Sequence, residues 1–130
     1  MYIFYEFVLN RSDNINIGAN VMELKNDTVN PMGLKPEILL AMNIASIVYQ
    51  IYGYSMRITS ITDYKHSAVH SDHYKGYAFD VGTKELGSDK GRIIGEIKRR
   101  LNDQYRVLLE GEGTDLEHLH IGYKPTYQGR

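Results

Sequence analysis

Two stretches of this sequence carry apolar residues at the spacing of an α-helix, and they limit the possible folds more than any other feature. The first begins at Pro36, a residue suited to the first turn of a helix, and ends before Gly53, a typical C-terminal cap. The second follows Ser88 and Asp89, which can cap it, and carries the basic run 98–100 on its solvated flank. The repeating apolar residues are Ile38, Met42, Ala45, Val48, Ile51 and Tyr52 in the first stretch, and Ile93, Ile94, Ile97 and Leu101 in the second.

The rest of the patterned sequence is strand-like. Alternating polarity and β-branched or aromatic residues predict strands at 2–9, 21–24, 56–62, 77–81, 106–109 and 119–123. The remainder of 10–33 is rich in Asn and Asp and predicts irregular chain. Because two helices cannot cover both faces of a parallel sheet, we expect a single α+β domain over residues 1–130, with a mainly antiparallel sheet and helices packed on it.

Composition excludes several classes of function. The 130-residue chain has 15 Lys and Arg against 16 Asp and Glu, so its net charge of -1 gives no reason to expect nucleic-acid binding. Cysteine is absent, so any metal must bind nitrogen and oxygen ligands. The apolar N-terminus contains Glu6 and no basic region, and no apolar run reaches the roughly 18 residues that span a bilayer. We therefore expect no signal peptide and no membrane insertion.

All five histidines lie in two short windows, residues 66–73 and 118–120. Imidazole is a common neutral metal ligand, so this confinement predicts that the two windows meet at one site. Gly76 permits a tight bend after the first window, by which His73 and Asp80 can converge.

The second window has the pattern of a strand. Since side chains alternate between the faces of a strand, His118 and His120 should share one face while Leu119 and Ile121 point into the core. Two histidines and one carboxylate provide three zinc ligands and leave a fourth position for water, as in catalytic zinc sites. A nearby carboxylate must then take up the proton of that water.

Two motifs resemble a known family. Residues 71–80 read SDHYKGYAFD and fit the SxHxxGxAxD signature of the M15 family of zinc D-Ala-D-Ala and L-Ala-D-Glu peptidases at every specified position. Residues 117–120 read EHLH and resemble the second signature of that family, ExxH. The resemblance extends over roughly residues 57–124.

The resemblance implies a zinc site and an activity. It implies Zn²⁺ bound by His73, Asp80 and His120, with Glu117 as the general base, in a sheet-centred fold with packed helices. The substrates of the family are peptidoglycan peptides. The N-terminal zinc domain of Hedgehog proteins is also similar, through its histidine-rich loop before an SxHxxGxAxD motif and its HxH strand. That relative implies an alternative in which zinc serves stability or partner binding without hydrolysis.

One departure from the family concerns a cation. Many members carry an arginine in a SGYRS-like segment, whereas residues 60–63 of this chain read SITD. We expect Lys65, Arg57 or His66 to hold a substrate carboxylate or assist the oxyanion in its place. Ser71 is expected to orient the loop by hydrogen bonding.

A second departure concerns the base. In Hedgehog-like sequences and some phage-borne relatives the base stands at the end of the preceding strand, where this chain has Glu110 and Glu112. Glu117 is our first choice and Glu110 the second. His118 is expected to hydrogen-bond the developing oxyanion.

The leading prediction is a monomeric zinc metallopeptidase that cleaves a bond in the stem or cross-link peptides of the bacterial cell wall. The expected lack of a signal peptide is consistent with a phage lysin that acts on the wall after release. The alternative is a Hedgehog-like zinc-binding domain that acts as a partner-binding or virion-associated module.

Overall fold

The structure, a computed structural model, describes residues 14–17, 20–29, 31–61 and 76–124. Within these ranges it contains six strands and two α-helices. The strands are β1 (Asn14–Ile17), β2 (Asn20–Leu24), β3 (Met56–Ser60), β4 (Ala78–Gly82), β5 (Tyr105–Glu110) and β6 (His118–Tyr123). The helices are α1 (Pro36–Ile51) and α2 (Lys90–Leu101), with 3-10 turns at Lys84–Asp89 and Asn102–Gln104 on either side of α2. The strand predicted at 2–9 lies outside the described residues.

Helix α1 confirms the first predicted helix at both ends. Pro36 is its first residue, and Gly53 follows its end with a φ of +88°, where its N–H donates to the Gln50 carbonyl at 2.9 Å. Ile38, Met42, Ala45 and Val48 are fully buried, as predicted. The prediction was wrong for Ile51, which is 61% exposed. At about 100° per residue, Ile51 lies about 140° around the helix from Ile38 and faces away from the core.

Helix α2 confirms the second helical pattern. Ile93, Ile97 and Leu101 are buried, and residues 98–100 are exposed at its C-terminal end. Asp89 is the N-cap residue but makes no capping hydrogen bond, because its carboxylate accepts the Tyr54 hydroxyl at 2.8 Å instead. The predicted start of the helix is therefore confirmed, whereas the predicted capping role of the Asp89 side chain is wrong, since that side chain binds Tyr54.

The sheet of the described residues has the strand order β1-β2-β3-β4-β6-β5. Every pair is antiparallel except β2 and β3, which are parallel and are connected through α1. The predicted α+β class with a mainly antiparallel sheet is confirmed. Strand β1 was missed within the segment expected to be irregular, although its sequence NINI alternates in polarity.

Both helices pack on one face of the sheet and enclose a single core. Leu119 and Ile121 are fully buried in that core, as predicted from strand alternation, and so are Phe79 and Val81 of the neighbouring strand β4. The Tyr49 hydroxyl of α1 donates to the Gly82 carbonyl at 2.8 Å and fixes the end of β4 to the helix layer. In the part of the chain that the structure describes, no helix is long and apolar enough to cross a membrane.

Candidate functional site

The predicted site residues of β4, β5 and β6 lie on the sheet face opposite the helices, which we call the histidine face. Asp80 of β4 pairs with His120 of β6, and Gly82 pairs with His118. On the other side of β6, Glu110 of β5 pairs with His118. Directly opposed residues of antiparallel strands share a face, so the two histidines, Asp80 and Glu110 are neighbours. The prediction that His118 and His120 point together is confirmed.

Asp80 and His120 are in direct contact. His120 Nδ1 lies 3.1 Å from Asp80 Oδ1, and the two side chains are only 13% and 11% exposed. At this distance Nδ1 can donate a hydrogen bond to the carboxylate. In a tetrahedral zinc site with bonds of about 2.0–2.1 Å, adjacent ligand atoms are about 3.3 Å apart. The same pair of atoms therefore fits two neighbouring positions around one zinc ion.

Small residues leave the space that the His120 ring occupies. A Cβ atom at Gly122 would lie 3.2 Å from His120 Nε2 and 3.7 Å from the Cβ of Ala78. The imidazole thus rests over the backbone of its own strand, with Nδ1 turned toward Asp80. A larger residue at Gly122 would push the ring out of this position.

A buried polar atom beside Asp80 also fits a ligand-binding role. Ser60 pairs with Asp80 across β3 and β4, next to a register shift in β3. Its hydroxyl oxygen is buried and has no hydrogen-bond partner among the described residues. Buried polar atoms are nearly always satisfied, so this hydroxyl marks a place where a further polar group would fit.

His118 connects Asp80 with Glu110. Its Nε2 lies 2.9 Å from Glu110 Oε1 and 3.8 Å from Asp80 Oδ2, and its Nδ1 lies 2.8 Å from the Leu116 carbonyl. Both ring nitrogens face acceptors, and only the imidazolium can donate from both. Burial disfavours that form, but the Leu116 carbonyl, Asp80 and Glu110 together raise the pKa of His118 above its ordinary value. His118 is thus a hydrogen-bond donor to Glu110, with the Asp80 carboxylate nearby at 3.8 Å.

Glu117 is not brought to the histidine face. Its carboxylate accepts the Thr83 hydroxyl, the Gly113 N–H at 3.0 Å, and Lys90 Nζ at 3.1 Å to each oxygen. Lys90 begins α2, so these contacts lie on the helix side of the sheet. They hold the pKa of Glu117 at about 2, with the Thr83 hydrogen bond the largest cause. A buried carboxylate with these partners is a poor proton acceptor.

Arg57 is engaged by acidic side chains. Its Nε lies 3.0 Å from Glu23 Oε1, and its guanidinium lies 3.7 Å from Glu85 Oε2. The side chain is 46% exposed, so these ion pairs are solvated. Its positive charge is therefore largely matched by two carboxylates before any substrate binds.

The other predicted site residues, Lys65, His66, Ser71 and His73, lie outside the described residues. The described ranges hold two of the three predicted zinc ligands, Asp80 and His120, and no group of three His, Asp or Glu side chains within them could hold a metal.

Gly76, four residues before Asp80, is the first residue of the described range 76–124. Gly76 has a φ of +77°, and a Cβ there would lie 2.1 Å from the Gly33 carbonyl oxygen. Its own carbonyl accepts the Lys35 N–H at 3.1 Å. The tight bend predicted at Gly76 is confirmed, and only glycine fits it.

Sequence reasoning missed Gly122, which leaves room for the His120 ring, and Thr83 and Lys90, which hold Glu117 on the helix side of the sheet. Gly122 carried a usable signal, because an isolated glycine inside a strand often marks a close approach. Thr83 and Lys90 carried none, since their role depends on a contact with Glu117 that joins distant parts of the chain.

Comparisons with known proteins add no relative. No family model matches this chain, no curated protein matches it, and no solved structure matches it. The chemistry of the site must therefore be argued from its own residues. These are a sheltered carboxylate and imidazole in contact, with a second imidazole and an accessible carboxylate beside them, groups that can accept and donate a proton.

Proposed function

We propose that this protein is a zinc-dependent peptidase of the M15 type with a Hedgehog/DD-peptidase-like fold. The observation that carries the proposal is the contact between Asp80 and His120 on the histidine face, with Glu110 and His118 immediately beside it. This arrangement agrees with the roles that the two sequence signatures imply for Asp80 and His120. The α+β architecture is compatible with such a site but does not by itself define a function.

In this proposal His73, Asp80 and His120 hold a zinc ion. Two imidazoles and one carboxylate are a donor set that zinc prefers, and they leave a coordination position open. A bound zinc ion would supply a Lewis acid that polarises the scissile carbonyl and lowers the pKa of water. The sheltered position of Asp80 and His120 and the room beside Gly122 both fit this role.

Glu110 is the general base in this proposal, in preference to Glu117. Glu110 is 48% exposed on the histidine face and contacts only one partner group among the described residues, the His118 ring. Glu117 is buried in contacts with Lys90 and Thr83 on the other side of the sheet. A base must reach the water whose proton it takes, and Glu110 is on the correct face to do so.

His118 positions the base and assists the reaction. Its Nε2–H donates to Glu110, and its proximity to Asp80 places it at the edge of the proposed zinc site. To hydrogen-bond the oxyanion that develops on the substrate carbonyl, its Nε2–H would have to leave Glu110, because Nδ1 is held by the Leu116 carbonyl. Glu110 can then return its proton to the leaving amine.

The proposed substrates are peptides of the bacterial cell wall, by resemblance to the family whose signature residues 71–80 fit. The test is to incubate zinc-loaded protein with defined muropeptides and to identify the products by mass, with a chelated sample beside it. Cleavage of a stem or cross-link bond should occur only with metal. Glu110→Gln should lower kcat by about a hundredfold or more, as removal of a general base does.

A matched control is Glu112→Gln, which removes the same charge from an exposed position in the same turn. It should retain full activity. Metal binding without cleavage of any muropeptide would contradict the peptidase and favour a zinc-stabilised binding domain. Full activity of Glu110→Gln would reject the assignment of the base.

A further inference from the structure

The turn between β5 and β6 has one buried attachment to the rest of the protein, the carboxylate of Glu117, beside a solvated ion pair of Asp115 with Lys84 at 3.7 Å. Residues 111–116 are exposed, whereas the side chain of Glu117, which ends the turn, is only 5% exposed. The turn is closed internally by the Gly111 carbonyl, which accepts the Thr114 N–H at 2.9 Å, and by the Thr114 carbonyl, which accepts the Glu117 N–H at 3.2 Å. Within the described structure, Glu117 is thus the buried anchor of an otherwise solvated turn.

The partners of Glu117 belong to three separate parts of the fold. Thr83 follows β4, Lys90 begins α2, and Gly113 is the middle of the turn itself. Lys90 Nζ contacts both carboxylate oxygens at 3.1 Å, and its side chain is 27% exposed. Hydrogen bonds to a buried charged group are stronger than those between neutral groups, so this carboxylate resists displacement.

The two ends of the same turn carry the proposed base and its partner. Glu110 is the last residue of β5, and His118 is the first residue of β6. They pair across the strands, and their side chains meet at 2.9 Å. The Leu116 carbonyl within the turn also accepts from His118 Nδ1 at 2.8 Å. Any shift of the turn would therefore move both the acceptor of Nδ1 and the carboxylate that binds Nε2.

We propose that Glu117 and Lys90 form a clamp, completed by Thr83 and the Gly113 N–H, that fixes the β5–β6 turn and thereby positions Glu110 and His118 for catalysis. Glu117 is then a positioning residue that acts through the turn and never contacts substrate. The catalytic consequence rests on the proposed peptidase function. The structural consequence, a turn held rigid by a partly buried ion pair, does not depend on that function.

Lys90→Met is the most informative variant, because it breaks the clamp and leaves the carboxylates of both candidate bases, Glu110 and Glu117, unchanged. It should lower kcat about a hundredfold, the effect of misplacing catalytic groups by about 1 Å, while KM and zinc content stay unchanged. The Gly113 amide should exchange its hydrogen about tenfold faster, because the carboxylate that accepts it is no longer held. Lys90→Arg keeps the charge and should restore both values.

The matched control is Lys98→Met, which removes the same charge from an exposed position of the same helix. It should change neither kcat nor amide exchange. Glu117→Gln should lose activity at least to the extent of Lys90→Met, since it breaks the ion pair with Lys90 and weakens the contacts with Thr83 and Gly113. A far larger loss in Glu117→Gln than in Lys90→Met would mean that Glu117 is itself the base and would overturn the clamp.

The two measured quantities, kcat and the exchange rate of the Gly113 amide, distinguish failure of the clamp from failure of the proposed function. Unchanged Gly113 exchange in Lys90→Met overturns the clamp, whatever the activity. Faster exchange with an undiminished kcat overturns its catalytic role. If the wild-type protein cleaves no muropeptide, the peptidase proposal fails, and the exchange measurement alone still decides whether the ion pair holds the turn.

Discussion

At the scale of single residues, the environment of a carboxylate decides its role more than its place in a motif does. Glu110 and Glu117 border the same turn, yet one lies on the histidine face and the other under it, against Lys90. The ExxH motif favoured Glu117 because a motif compares only the spacing of residues along the chain and not the face of the sheet on which each side chain lies. Strand alternation puts residues 117 and 120 on opposite faces, and the contacts of Glu117 agree with that rule.

Gly122 offers a test of how the His120 ring is held. In Gly122→Ala the new methyl group would lie 3.2 Å from His120 Nε2, so the ring has to give by a few tenths of an ångström and its contact with Asp80 is disturbed. We expect zinc affinity to fall about tenfold or more, as it does when a ligand loses its orientation, measured by competition with a chromophoric chelator. Unchanged affinity would show that the position of the ring does not depend on the missing Cβ.

At the scale of helices and strands, the local pattern of apolar residues was sufficient to locate an element wherever that pattern has the period of a helix or a strand. The proline and glycine at the ends of α1 and the isoleucines of α2 located both helices. The predicted strands that fall on described residues, at 21–24, 56–62, 77–81, 106–109 and 119–123, are confirmed to within about two residues at each end. Strand β1 was missed because two Ile and two Asn in four residues give little hydrophobic signal, and its identity depends on pairing with β2.

Gly95 lies in the middle of α2, exposed and with nothing within 4 Å of an added Cβ. Gly95→Ala should stabilise the protein by about 1 kcal/mol through helix propensity, which raises Tm by about 3–4 °C. The matched control is Gly53→Ala, where space is also open but φ is +88°. It should lower Tm, because alanine is strained at that φ. Tm is measured by thermal unfolding monitored by circular dichroism. Equal shifts of Tm in the two variants would contradict the helical conformation of Gly95 or the positive φ of Gly53.

At the scale of the whole molecule, the order of the strands in the sheet could not be predicted from the sequence. Strand β6 lies between β4 and β5, which brings Asp80 against a histidine forty residues later in the chain. The predicted meeting of the two histidine windows stays a prediction, because the first window, residues 66–73, lies outside the described residues. The contacts of Glu117 with Thr83 and Lys90 are equally non-local, and no local pattern encodes them.

The same buried carboxylate predicts how stability depends on pH. The folded protein lowers the pKa of Glu117 from 4.5 to about 2, so its ionised form stabilises the folded state. That contribution is complete above about pH 4.5 and is lost as the pH falls toward about 2. Glu117→Gln should therefore have a lower Tm than wild type at neutral pH, with a difference that shrinks between about pH 5 and pH 2. A difference independent of pH would contradict this ionisation.

The central claim is that the two histidine windows form one zinc centre, and zinc content tests it most directly. Purified wild-type protein should bind a single zinc ion per chain, and His73→Ala and His120→Ala should each lose it while remaining folded. His70→Ala, from the same window as His73 but outside the signature, is the matched control and should keep the metal. Undiminished zinc in His73→Ala or His120→Ala, measured by elemental analysis after dialysis, would contradict the account.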